Sequence, residues 1–188
     1  MIRGIIFDCF GVLYGGSLET FVKMAPHENA KAIHDVNIAK DYGYIDYKEY
    51  VTQLGELVGI APEEVERIIT ERHVPNRELI DYALSLKATH KVALLSNIGN
   101  RLMDELFDGK VRELFDVVEL SYEEGLAKPN PAIFQLTADR LGLAPEECVM
   151  VDDMPDNCEG AEIVGMKSIQ YTSNDVTIAR LNELLERQ

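Results

Sequence analysis

Five short segments, most of them continuously apolar, alternate with stretches of helical spacing, and this alternation limits the fold more than any other feature of the chain. Ile2 to Phe7, Lys91 to Leu95, Phe115 to Glu119, Cys148 to Val151 and Lys167 to Gln170 are too short for helices. Near-continuous apolar runs of this length mark strands covered on both faces, as in a parallel sheet with crossover helices. Helices are expected at Arg77 to Lys87 after Asn76, at Pro131 to Leu141 with proline at its start, at Asn157 to Val164 and at Asn174 to Glu186. The pattern predicts an α/β fold. Right-handed crossovers would gather every strand's C-terminal end on one edge, where open α/β sheets bind ligands.

The segment from about Gly16 to Asn76 breaks the rhythm. His27 to Lys40 and Tyr47 to Val58 have helical spacing, and Ala61-Pro62-Glu63-Glu64 opens a third helix with proline and acids in its first turn. Gly15-Gly16 and Val74-Pro75-Asn76 serve as linkers, both bordering the tip of the first strand. The insert either enlarges the core or covers that tip as a lid, and the position of the linkers favours the lid. At 188 residues, 46% hydrophobic, the chain is long enough for one full core plus such a unit.

A formal net charge of −15 argues against nucleic acid or an anionic membrane as partner. An anionic substrate would need local help from a metal ion, a lysine and backbone donors. Cys9, Cys148 and Cys158 form no CxxC pair, and a reduced compartment fits them best. The first strand begins almost at once, and no apolar run approaches the roughly 18 residues of a membrane span, so a soluble, cytoplasmic protein is expected.

Three of the strands end on reactive groups. The first runs into Asp8 and then turns at Gly11, so its carboxylate is either a nucleophile or a turn cap. The strand at Cys148 ends on Asp152-Asp153, acids that suit Mg²⁺ or cap the next helix. Ser96 and Asn97 open the loop after the second strand, where a hydroxyl and backbone N–H groups hold anions, a weak signal on its own. Lys128 precedes Pro129, which restricts it to an extended form and aims its ammonium at a pocket or at solvent. Asn157 orients the late acids or caps its helix. His27, His34, His73 and His90 suit surface or packing roles better than catalysis. Tyr42, Tyr44, Tyr47 and Tyr50 line a lid pocket or hold helices together.

Asp8-Cys9-Phe10-Gly11-Val12, Ser96, Lys128 and Asp152-Asp153, in this order and at strand tips, resemble the four motifs of the haloacid dehalogenase superfamily. The helical insert after the first motif looks like the C1 cap of its subfamily I. The resemblance implies a Rossmann-like core of strand order 5-4-1-2-3, built from residues 1–15 and 77–188, with residues 16–76 as the cap. It implies Asp8 as nucleophile, Ser96 on the transferring phosphoryl group with Asn97 beside it, and Lys128 steadying charge. Mg²⁺ would be held by the Asp8 carboxylate, the Phe10 carbonyl oxygen, Asp153, and Asp152 directly or through water. The expected activity is a Mg²⁺-dependent phosphatase acting on a small phosphorylated metabolite through an aspartyl-phosphate.

One residue departs from the pattern. The second aspartate of DxDx(T/V), the phosphatases' general acid and base, is Phe10, which cannot transfer a proton. Such help is typically worth about 10² to 10⁴ in rate. Turnover is therefore expected to be slow, or confined to good leaving groups, or served by a cap acid such as Glu19. Phe10 with Ser96-Asn97 also suits a 2-haloacid dehalogenase, against which stand the late acid pair and the lack of any arginine between Arg3 and Arg67. A catalytically silent homologue that binds a phosphometabolite or a partner protein is the third expectation. Substrate identity and oligomeric state are not legible.

Overall fold

The computed structural model describes residues 1–98, 103 and 106–186. Residues 99–102, 104, 105, 187 and 188, which fall within the expected core unit, lie outside the described residues.

Five parallel strands form one sheet: β1 (Gly4–Phe7), β2 (Lys91–Ser96), β3 (Val117–Leu120), β4 (Cys148–Asp152) and β5 (Lys167–Gln170), in the order β3-β2-β1-β4-β5. This is the expected 5-4-1-2-3 arrangement. β1 lies in the middle, with Phe7 opposite Leu94 on one side and Val151 on the other. Successive side chains point to opposite faces. Ile5, Phe7, Val92, Leu94, Val149 and Val151 therefore enter one buried cluster, while Ile6, Ala93, Leu95, Cys148 and Met150 enter the second. Both faces are closed by helices, which is why these strands read as unbroken apolar runs.

The strand limits differ from the sequence expectation in ways that matter for the site. β2 continues through Ser96 and β4 through Asp152, so both polar residues sit within the sheet's edge rather than in the loops beyond it. β3 starts later than expected because the Phe115 N–H is taken by Val111 O of the short helix α6 (Val111–Leu114).

Residues ahead of the second strand build five helices: α1 (Leu18–Met24), α2 (Ala30–Asp41), α3 (Tyr47–Val58), α4 (Pro62–Arg72) and α5 (Arg77–Ser85). α3 begins at its Asp46 cap, which accepts the Glu49 N–H, and ends at Gly59 in the left-handed conformation. α4 starts on Pro62, and α5 starts at the Asn76 cap. α1 has no counterpart in the sequence reading; with only 7 residues it shows too few turns for a periodic pattern. α1 to α4 close on a core of their own that includes Phe21, Ile33, Tyr50, Val51, Leu54 and Val65.

The chain enters and leaves this unit through two paired segments. Gly15 N–H donates to Val74 O at 2.9 Å and Asn76 N–H to Leu13 O at 2.8 Å, around a bridge between Tyr14 and Pro75. A β-carbon on Gly15 would lie 2.1 Å from Arg72 O, so glycine is what allows the two linkers to approach. Beyond β3 follow α7 (Ser121–Glu124), α8 (Pro131–Leu141), α9 (Pro155–Ile163) and α10 (Asn174–Glu186). α9 opens at Pro155, two residues before the expected Asn157, since proline is well suited to a first helical turn.

Candidate active site

Asp8 directly follows β1, and the backbone turns back beneath it. Tyr14 N–H donates to Cys9 O at 2.8 Å and Gly11 N–H to Tyr14 O at 2.7 Å. Gly11 has φ +88°, and a β-carbon there would lie 2.2 Å from Asp153 Oδ2. The glycine thus serves both the turn and the approach of a second acid.

Because β1 and β4 are neighbours in register, Asp8 and Asp152 emerge side by side, and Asp153 follows in the loop before α9. One carboxylate oxygen from each of the three lies within 4.8 Å of the others. Lys128 is buried among them, its Nζ 2.7 Å from Asp8 Oδ1 and 2.6 Å from Asp152 Oδ2. Asp152 Oδ1 accepts the Met154 N–H and the Asn157 amide, each at 2.9 Å. Asn157 therefore orients a carboxylate from the first turns of α9.

Asn97 uses its side chain on Lys128. Its Nδ2 donates to Lys128 O and its Oδ1 accepts the Lys128 N–H, both at 2.8 Å. Ser96 is completely buried, and its hydroxyl has no hydrogen-bond partner among the described residues. β2 neighbours β1, so this hydroxyl lies at the sheet edge from which Asp8 emerges, but beneath the surface.

The electrostatics are set by burial and by an excess of negative charge. Burial, then the Asp152 charge, hold the Asp8 carboxyl well above the usual range, while Lys128 opposes them. Burial and Asp152 push Asp153 up to about 6. For Lys128, burial favours the neutral amine, but Asp152 and Asp8 outweigh it and keep the ammonium charged. One ammonium thus faces three carboxylates, a set of hard oxygens of the kind that holds a divalent cation such as Mg²⁺.

Above the carboxylates opens a cavity of about 1000 Å³. Asp8, Gly11, Asn97, Lys128 and Asp153 contribute to one side; His34, Lys40, Asp41, Tyr47, Tyr50 and His73 contribute from α2 to α4 and the linker. Ser96 and Asp152 are completely buried and add no surface to it. Phe10 lies against His73, ring centroids 4.8 Å apart. Glu19 reaches the cavity, but its side chain is 84% exposed and paired with Lys23 at 2.7 Å. The hydrogen bond and charge of Lys23 lower its pKa, the opposite of what an acid catalyst needs.

The sequence reading missed Lys40 and Asp41 and set His34 and His73 aside. Lys40 Nζ lies 2.8 Å from Asp41 Oδ1 and 5.0 Å from the Tyr50 ring centroid, so an ion pair and an aromatic face share the cavity wall. No motif marks them. The one available signal is the charged pair Lys40-Asp41 at the end of a helix whose other turns are partly apolar.

A haloacid dehalogenase-like hydrolase family model matches residues 2–165. The chain belongs to that family of hydrolases, and its relatives include metabolite phosphatases. The D-ribitol-5-phosphate phosphatase of Bacteroides thetaiotaomicron is 28% identical over 190 residues, covering 90% of this chain and 92% of that protein. Acyl-CoA dehydrogenase family member 10 of Mus musculus is 36% identical over 95 residues, half of this chain but only 9% of that much longer protein. A haloacid dehalogenase family enzyme from Bacteroides thetaiotaomicron, solved with magnesium and inorganic phosphate, shares the fold. Its TM-score is 0.69 at 23% identity, over 93% of this chain and 96% of that one. Among the described residues no helix is long and apolar enough to cross a membrane.

Proposed function

We propose that the protein is a Mg²⁺-dependent phosphatase of small phosphorylated metabolites, with residues 1–15 and 77–188 as catalytic core and residues 16–76 as a C1 cap. The observation that carries this reading is the convergence of Asp8, Asp152 and Asp153 within 4.8 Å around the Lys128 ammonium. A cavity of about 1000 Å³ between these groups and the cap side chains suits a metabolite rather than a macromolecule.

Asp8 attacks the phosphorus, the bond to the ester oxygen breaks, and an aspartyl-phosphate forms. Lys128 neutralises charge on the nucleophile before attack and on the phosphoryl oxygens after it. Ser96 offers its unpartnered hydroxyl to one of those oxygens, while Asn97 holds the Lys128 peptide in place. Water then releases phosphate and restores Asp8. Asp8, Asp153, the Phe10 carbonyl oxygen and Asp152, directly or through water, would hold Mg²⁺, which would supply charge neutralisation for the transferring group. Asp153 is the freer of the late acids, since both oxygens of Asp152 already accept hydrogen bonds from Lys128, Met154 and Asn157.

The dehalogenase alternative needs a cap-side arginine to receive the halide, and among the described residues the cations that line the cavity are Lys23, Lys40 and Lys128, with no arginine. p-Nitrophenyl phosphate hydrolysis separates the readings. Turnover that stops with EDTA and returns with Mg²⁺ is expected; metal-independent halide release from 2-haloacids, with no phosphate release, would overturn the proposal.

A further inference from the structure

Phosphate ester cleavage leaves an alkoxide that must gain a proton, and Phe10 has none to give. Besides Asp8 and Asp153, three carboxylates line the cavity among the described residues: Glu19, Asp41 and Asp46. Glu19 is exposed and tied to Lys23. Asp46 is engaged as the cap of α3. Asp41 is placed differently. It ends α2, its side chain is 11% exposed, and its backbone oxygen accepts from Ser121 Oγ at 3.2 Å, which fixes it against the core.

Among the described residues, the groups that face the Asp41 carboxyl come from three sides. Asn37 Nδ2 donates to Oδ2 at 3.0 Å from its own helix, and Lys40 Nζ approaches Oδ1 at 2.8 Å. Tyr50 adjoins the pair from α3, and Asn97 and Lys128 act on it from the core side. Oδ1 has no aligned hydrogen bond among the described residues despite its burial. Asp41 is thus a cap carboxyl that lines the cavity close to Asn97 and Lys128, with Oδ1 paired to the Lys40 ammonium and Oδ2 to the Asn37 amide.

We propose that Asp41 supplies the general acid and base that Phe10 cannot, a role that rests on the phosphatase reading above. As Asp8 Oδ bonds to phosphorus and the P–O bond to the alcohol breaks, the Asp41 carboxylic acid gives its proton to the departing oxygen, and alcohol and Asp41 carboxylate result. The carboxylate then takes a proton from water as the water oxygen bonds to phosphorus. The P–O bond to Asp8 breaks, and inorganic phosphate, the Asp8 carboxylate and the Asp41 acid are restored. Burial favours the protonated form needed in the first half, whereas Lys40, Lys128 and Asn97 favour the carboxylate needed in the second.

The test compares a panel of alkyl phosphates with p-nitrophenyl phosphate, whose leaving group departs without protonation. Asp41→Asn should reduce kcat on the best alkyl ester by about 10²-fold or more beyond its effect on the nitrophenyl ester, within the usual range for lost acid–base catalysis. Asp41→Glu should keep the alkyl-to-aryl ratio within about tenfold of wild type, since it retains the acid. Asp41→Ser is a second acid-less variant should the amide disturb folding. A merely structural role lowers both rates together, so an unchanged ratio in the acid-less variants overturns the proposal. So does a wild-type enzyme that cleaves the aryl ester and no alkyl ester. A wild type inactive on every ester with Mg²⁺ present instead overturns the phosphatase reading itself.

Discussion

Asn97 and Lys128 are joined at two points, amide nitrogen to carbonyl and N–H to amide oxygen, each at 2.8 Å. The side chain of one motif thereby fixes the backbone of another, 31 residues on. Asn97→Ala leaves two backbone groups of a buried residue unpaired, at about 1–3 kcal/mol each where no water replaces the amide. Lys128 then loses its aim. We expect kcat to fall more than KM rises, because the lost restraint acts on charge stabilisation rather than on substrate contact. A KM effect with kcat intact would assign Asn97 to substrate binding instead.

Lys128→Met removes the ammonium that serves both Asp8 and Asp152. Breaking a buried ion pair from one side costs about 3–5 kcal/mol. Thermal denaturation should show the loss, and added Mg²⁺ should raise Tm more in the variant than in wild type, since the freed carboxylates gain most from a cation. Equal Mg²⁺ shifts in both proteins would count against the carboxylates as the ion's ligands.

Gly11→Ala strains the site twice. The residue has a positive φ that costs an L-residue about 1–2 kcal/mol, and the new methyl would sit 2.2 Å from Asp153 Oδ2. Asp153 must move. Isothermal titration should find weaker Mg²⁺ binding, and phosphatase activity should require more of the ion; unchanged binding would place the ion away from Asp153.

Glu147 joins the starts of β1 and β4, pairing with Arg3 at 2.9 Å and accepting the Ala144 N–H at 3.0 Å. The Arg3 hydrogen bond, then that from Ala144, lower its pKa below the ordinary 4.5, against a small burial effect. A depressed carboxyl binds fewer protons folded than unfolded between the two values, so its contribution is present above about 4.5 and is lost as pH falls through the folded value. Denaturant midpoints of wild type and Glu147→Gln should differ near neutrality and converge in acid. A gap that persists in acid would show that packing, not charge, is responsible.

The sheet was legible because β1, β2 and β4 are covered on both faces and so leave continuous apolar runs in the sequence. Their C-terminal ends, and with them Asp8, Ser96 and Asp152, could be read as one locus for the same reason, whereas Lys128, in the loop between α7 and α8, was chosen over a solvent-facing reading only by the family resemblance. α1 was not legible, being too short for a periodic pattern. Neither was the pairing of Asn97 with the Lys128 backbone, a contact between loops that leaves no mark in spacing. The contribution of the helices between Gly16 and Asn76 to the cavity was the least legible. Glu19 looked suitable by position, and its pairing with Lys23 within the same helix argues otherwise, whereas Asp41 reaches the site only because α2 ends against Ser121.

The paired linkers have an architectural consequence. Since Gly15 and Val74 are hydrogen-bonded neighbours, the 16–73 excursion starts and finishes at nearly one point, like a bead on a stalk. A tight reverse turn could span that gap, so the sheet edge that bears Asp8 and Asp152 could be fitted with a different roof by exchanging one cassette, without re-registering a single strand.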